Sequence, residues 1–301
     1  MEWGHDPRVL PTLIRRGWWW RLQYGVYVDQ LVRDAAMSKP RDLHLLIAAA
    51  AVHGMSRPAH AFGVTAALAH DLPLPHDAPD QIDLIRERNA ETRARSQRIP
   101  RDDSLRAVRI RCHELDPGQV TRVNGLPVVH RLLAAVSAAA MLKPDWAVTI
   151  LDAVAWERPE AIMAMRDTAD HWTHLKGIGT VRAALPLVRT GAQTPLESHS
   201  RLRLVRAGLA EPELQVPLYD RAGLIGLVDM FWPDLGVVGE ADGAVKYEGR
   251  DDLLREKARE DRLRALGLGV VRWTWSEIWL RPGEVAGRVL ESATTSRRFA
   301  G

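Results

Sequence analysis

Cysteine is almost missing from this chain, with Cys112 alone in 301 residues. That excludes an internal disulfide and any metal cluster built on thiolates. Long apolar runs are missing too. The longest, Leu45 to Val52, falls far short of the roughly 20 residues a membrane span needs. The first residues, MEWGHDPRVLP, place acid and proline where a secretory leader would carry an apolar core. These absences predict a cytoplasmic protein with no membrane contact. Lysine is scarce: of 41 basic residues only five are lysine, leaving 36 arginines. Phenylalanine and tyrosine are scarce as well, and 11 of the 18 aromatics are tryptophan. What remains is ordinary globular composition, 46% hydrophobic and 26% charged with a net charge of +3. The length suggests about two domains. The small positive charge neither requires nor excludes a polyanionic partner.

The first thirty residues read as a helix over Val9–Arg16 and a β-hairpin over WWWRLQYGVYV. Apolar and polar residues alternate there around a glycine turn. Helix plus basic hairpin is the tail of a winged helix-turn-helix, though the two upstream helices of that motif have no room here. Capping the next domain is the plainer role. Residues 41–190 are mixed but helix-rich. Helices are expected at 42–53, 58–70, 130–142, 145–156, 159–173 and 180–189, and strands at QIDLIR and LRAVRIRC. Between those strands, Arg86 to Arg111 holds nine arginines against four acids. Arg86, Arg88, Arg93, Arg95 and Arg98 are its candidate phosphate contacts, although such runs usually form solvated loops. His171 and His174 stand three apart on a predicted helix but have no third ligand at a metal-site spacing.

The C-terminal third carries the chemistry. A helix capped near Thr194, with Pro195 and Glu197 in its first turn, is expected to run to Gly208. Strands ELQVPLY, IGLVDMFW and LGVVGEAD follow, then a charged helix over 250–266, the strand VVRWTW and a helix over 282–292. The order αβββαβα predicts one small sheet with packed helices. A hairpin symmetric about the Asp234–Leu235 midpoint sets Asp229 directly opposite Glu240. Facing residues of this kind have Cβ atoms ~4.5–5.5 Å apart, and Asp242 points to the same side as Glu240. Clustered carboxylates repel unless a cation neutralises them, and Mg²⁺ or Mn²⁺ suits hard oxygen ligands. Asp229 and Glu240 are the expected ligands, Glu197 would complete the shell, and Lys246 would orient a water or offset phosphate charge. A solvated acidic hairpin edge is the bland alternative.

The runs PLESHSRLRLVRAGL, VPLYDRAGLIGLVDMFWPDLGVVGEADG and DDLLREKAREDRLRALGLGVVRWTW resemble the PD-(D/E)XK nuclease superfamily over about 193–280. The likeness is specifically to a domain related to very-short-patch-repair endonucleases. It implies a restriction-endonuclease-like αβββαβ core, with Glu197, Asp229 and Glu240 as its acids. Glu240, Asp242 and Gly243 match the family's Glu-x-Asp-Gly. Asp242 stands where the superfamily's Glu-x-Lys has lysine, and Lys246 falls where relatives often carry histidine. The segments RLQYGVYV, HAFGVTAALAHDLPL and GLPVVHRLLAAVSAAAML are more loosely similar to abortive-infection type IV antitoxin proteins.

The fold class expected is therefore α/β, α+β overall. A degenerate winged-helix start over 1–35 and a helix-rich middle domain over 36–190 precede a nuclease-like domain over 191–301. The implied function is a Mg²⁺-dependent endodeoxyribonuclease in DNA repair or phage defence, with Asp229, Glu240, Asp242 and Lys246 catalytic. The other reading is a non-catalytic DNA-binding regulator or antitoxin with a decayed nuclease fold. DNA is the expected partner in both, with a toxin or other protein as a further one.

Overall fold

The computed structural model describes residues 8–23, 25–78, 80–87, 107–242 and 250–299. The described residues mix helices with three sheets, and the chain divides into two compact units. One comprises Met1–Leu151 with Glu160–Pro186, the other Asp152–Pro159 with Leu187–Gly301. The second unit thus begins four residues before the expected boundary and recruits part of a preceding helix. Among the described residues, no helix is long and apolar enough to cross a membrane.

In the first unit α1 (Leu10–Arg15) leads into the hairpin of β1 (Trp19–Gln23) and β2 (Val26–Asp29), as the alternation predicts. Helix α2 (Gln30–Met37) follows, N-capped by Asp29, whose side chain accepts from the Val32 amide. The rest is built on α3 (Pro40–His53), β3 (His60–Ala61), α4 (Gly63–Ala69), β4 (Ile82–Arg86), β5 (Val108–Cys112), β6 (Val120–Val123) and β7 (Leu126–Val129). Helices α5 (Arg131–Ala139), α6 (Pro144–Glu157), α7 (Ala161–His171) and α8 (Ile178–Ala184) complete it, with α6 running on into the second unit. The strands form one mixed sheet in the order β5-β4-β3-β7-β6.

Two expectations need correcting here. The helix read over 58–70 begins only at Gly63, because His60 and Ala61 pair with Ile85 and Leu84, and Ala61 also with Val128. Tertiary pairing overrides local helical pattern at that point. The helix expected over 180–189 instead occupies Ile178–Ala184 and tightens into a 3-10 turn at Leu185–Leu187.

The second unit holds α9 (Pro195–Arg206), β8 (Glu213–Asp220), β9 (Gly223–Trp232), β10 (Val237–Ala241), α10 (Arg250–Ala265), β11 (Gly269–Trp273), α11 (Trp275–Leu280) and α12 (Pro282–Phe299). Thr194 caps α9 through its side chain with Pro195 in the first turn, as the sequence signals. The sheet order is β11-β10-β9-β8, an antiparallel meander with β11 parallel to β10. Helix α11 is the element the sequence pattern does not announce. Thr274 ends the strand by forming a reciprocal capping box with Glu277.

Helices cover both faces of this sheet. On one, Leu196 and Leu204 of α9 meet Met230, Trp232, Val237, Val271 and Trp273, together with Ile278 of α11 and Val285 and Val289 of α12. On the other, Leu263 of α10 meets Ile225, Val228 and Val238. Gly239 is needed where it stands. A Cβ there would lie 2.5 Å from the Trp273 ring and 2.8 Å from that of Trp232.

Candidate active site

Strand alternation should place residues two apart on the same face. Yet Val228 packs toward α10 while Met230 packs toward α9 and α12. On the neighbouring strand Leu214 packs with Met230 and Val216 with Val228. Both strands therefore change face at one step, between the registered pairs Leu214–Met230 and Val216–Val228. Gln215 sits at that step with φ 51°, a left-handed conformation rare for a residue with a side chain. Asp229 stands opposite.

The irregularity aims polar groups at one another. Gln215 Nε2 donates to Glu197 Oε2 at 3.1 Å and to Asp229 Oδ1 at 3.3 Å. Its Oε1 accepts from Gln193 Nε2 at 3.0 Å. Asp229 Oδ2 accepts the Ala241 amide at 2.9 Å, so a side chain takes over where the β9–β10 pairing ends at Gly239–Met230. The hairpin register is the one the symmetric turn predicts, and continuing it sets Asp229 across from Glu240. Glu240 lies level with Arg272 on β11.

Cations surround Glu240 from the α10 side. Arg259 donates to Glu240 Oε1 at 2.8 Å and to the Leu227 carbonyl at 2.7 Å. It reaches across β9 because Gly226 leaves the path open: a Cβ at Gly226 would meet Arg259 Nε at 2.9 Å. Arg259 also bonds Glu256, and Arg272 pairs with Glu256 and Glu260. Burial still dominates the acids. It pushes Glu240 up to about 7 against the pull of Arg259, with Asp229's charge adding to the rise. Burial likewise raises Asp229 and Glu197 from their ordinary values. Carboxyls held in this way favour either a proton or a cation.

The expected residues divide as follows. Asp229 and Glu240 come together, and Glu197 joins Asp229 through Gln215. Glu197 is only 4% exposed, and its oxygens accept from the Gln193 amide, the Thr194 hydroxyl and Gln215. It stands behind the other two acids, buttressing Asp229. Among the described residues, no three His, Cys, Asp or Glu side chains gather into a group that could enclose a metal ion. Asp242 follows β10 with its amide bonded to the Trp273 carbonyl at 2.9 Å. Lys246 lies outside the described residues, as do Arg88, Arg93, Arg95 and Arg98. Arg86 ends β4, beside Cys112 on β5. His171 ends α7 and packs near His113 and Trp172.

Gln215, Arg259 and Arg272 are the members that sequence reasoning passes over. Gln215 interrupts an otherwise apolar strand, which is a usable signal. Arg259 is one arginine among several on a charged helix, and nothing local sets it apart.

The chain is similar to two uncharacterized proteins of Mycobacterium tuberculosis, MT2308 of strain CDC 1551 / Oshkosh and Rv2248 of strain ATCC 25618 / H37Rv. Each is 28% identical over 185 residues, covering 62% of this chain and 68% of the relative. No family model matches the chain, and no solved structure matches it.

Proposed function

We propose that the second unit is a PD-(D/E)XK-type endonuclease domain hydrolysing phosphodiester bonds in cytoplasmic DNA. The observation that carries this reading is the paired face change at Gln215 and Asp229. A strained conformation is retained where it holds the buried Glu197 and the half-buried Asp229 together, and such strain collects at functional sites. The donor chemistry suits a hard divalent ion. Two carboxylates, Asp229 and Glu240, would hold magnesium or manganese, and magnesium commonly keeps several waters beside one or two carboxylates. When bound, such an ion polarises a phosphoryl oxygen and acidifies water.

The chain's own groups supply the rest. Gln215 and the Ala241 amide fix both oxygens of Asp229, and Glu197 steadies Gln215 from behind. Arg259 sets the Glu240 carboxylate and places a guanidinium where phosphate charge would develop. It thereby offers a cation that the strand lacks, since Asp242 occupies the usual lysine position.

One observation favours the second reading, a DNA-binding regulator or antitoxin without catalysis. Helix α1 followed by the β1–β2 hairpin keeps the order of a winged-helix tail. One experiment separates the two. The full chain should nick supercoiled plasmid with magnesium or manganese, and either ion should raise its melting temperature. Asp229→Asn should remove both effects and lower cleavage about 100-fold or more, as loss of a key electrostatic group does. A chain that binds plasmid unchanged after Asp229→Asn, and cuts it with neither ion, is a regulator.

A further inference from the structure

Beside the acids, the second unit displays two indoles in a fixed frame. Helix α11 sends Ile278 into the core but leaves Trp275 37%, Trp279 42% and Leu280 73% exposed. Large aromatics are usually well covered, so a pair left half in solvent needs a reason. They are not loose. The imidazole of His199, buried within α9, lies 5.4 Å from each indole ring. The two indoles are 6.5 Å apart at 58°. The Arg203 guanidinium sits 4.1 Å over the Trp279 ring and donates to the Trp279 carbonyl at 3.0 Å.

The surroundings are rich in arginine. From Arg203 to Arg206 and from Trp275 to Arg288 the sequence holds four arginines (Arg203, Arg206, Arg281, Arg288) against two glutamates, Glu277 and Glu284. Both glutamates pair with members of that set, Glu277 with Arg288 and Glu284 with Arg281. Arginine is thus part of this face, with Arg203 stacked on Trp279 itself. Its place in the fold is defined as well. Trp273 is level with Ala241, the residue after Glu240, and its carbonyl receives the Asp242 amide. Trp275 begins two residues further on, so the indoles stand at the strand end that carries the acids.

Flat π faces held rigid among arginines suit nucleobases and their phosphates better than an aliphatic partner. Base faces are available only where strands are unpaired, since in a duplex they are stacked away. We infer that Trp275 and Trp279, with the Arg203 guanidinium stacked on Trp279, form a stacking platform for the unpaired bases of single-stranded DNA. The substrate of the acid site is then DNA with a single-stranded stretch, such as a flap, gap or melted end. As a statement about substrate this rests on the nuclease reading; as a statement about binding it stands alone.

The test uses the full chain with labelled oligothymidine, a duplex of equal length, and a flapped duplex. Anisotropy should show oligothymidine bound about tenfold or more tighter than duplex. Trp275→Ala with Trp279→Ala should weaken single-strand binding by about tenfold per indole and collapse that preference. Trp279→Phe, which keeps a stacking ring, should retain most of it, and an unchanged melting temperature in this variant separates lost stacking from lost folding. With magnesium, the flapped duplex should be cut faster than the intact one, and the double variant should erase the difference. Equal affinity for single strand and duplex, or single-strand binding that survives loss of both indoles, overturns the platform. The face would then be a protein-docking surface centred on Leu280. Absence of cleavage alongside retained, indole-dependent binding instead overturns the nuclease reading and leaves the platform standing.

Discussion

Each of the two larger sheets carries an aspartate away from bulk solvent, Asp83 fully buried and Asp229 half-buried, and the two are treated in opposite ways. Asp83 on β4 is fully enclosed, and both its oxygens are taken by the fork of Arg109 on β5, at 2.5 and 3.0 Å. Its own amide donates to Thr65. Among the described residues, no guanidinium bonds to Asp229 on β9. Its oxygens accept one backbone amide and one Gln215 amide, while Glu197 and Glu240 crowd it. A buried acid with a bidentate cation is a finished structural pair. Asp229 and Glu197, held by neutral donors and raised by burial, with Glu240 set nearby, leave charge for a ligand to neutralise. On the nuclease proposal, that difference is why the site belongs to the second sheet.

The largest expected effect breaks that comparison directly. Asp83→Ala strands Arg109 and should cost about 2–3 kcal/mol, below the 3–5 of a fully buried pair because Arg109 reaches solvent. Cleavage per folded molecule should be unaffected. Asp229→Ala should behave in reverse, with little loss of stability and near-complete loss of cleavage. Denaturant unfolding and a plasmid nicking assay on both variants decide it. If Asp229→Ala destabilises as much as Asp83→Ala, Asp229 is structural too.

A second effect, spread over a pH range and confined to stability, sharpens the contrast. Glu240 is raised in the folded state, so between about 4.5 and 7 the native chain holds more protons than the unfolded one. Stability from this group is therefore full below 4.5, falls as pH rises to about 7, and is level above it. The span caps the loss at about 3 kcal/mol. Without divalent ions, Glu240→Gln should lack this decline, so its stability advantage over the unchanged chain grows across that window. A constant difference from pH 4.5 to 8 would show that Glu240 titrates normally.

How much of this was legible depends on the range of the cause. The β9–β10 register follows from a local turn, Pro233 to Gly236, so the facing of Asp229 and Glu240 can be read in advance. The cap at Thr194 is local and readable for the same reason. Helix α11 hides because WSEIWL continues the apolar look of VVRWTW until Thr274 closes its capping box. The β6–β7 hairpin turns on Asn124–Gly125, both at positive φ, a pairing strongly associated with two-residue turns; attention to that dipeptide alone would have located it. Arg259 escapes because its partner lies 19 residues away and its path depends on Gly226 in another strand.

The smallest effect concerns Gln215, which links Glu197 to Asp229 in the second sheet and has no counterpart at Asp83. Gln215→Gly removes the left-handed strain, worth about 1–2 kcal/mol, but also removes the amide that bridges the two acids. Net hydrogen bonds of this kind contribute about 1 kcal/mol each, so the terms nearly cancel and stability should change by under about 1 kcal/mol. Cleavage should nevertheless fall about tenfold, as it does when a neighbour that orients a metal ligand is lost. The loss should show as a higher metal concentration for half-maximal cleavage, because Asp229 is no longer held. Gln215→Asn tolerates the same backbone conformation with a shorter side chain, and it should resemble glycine if reach across the two acids is what matters. Should both variants cleave like the unchanged chain at every metal concentration, the face change at Gln215 is a packing irregularity and Asp229 needs no support from it.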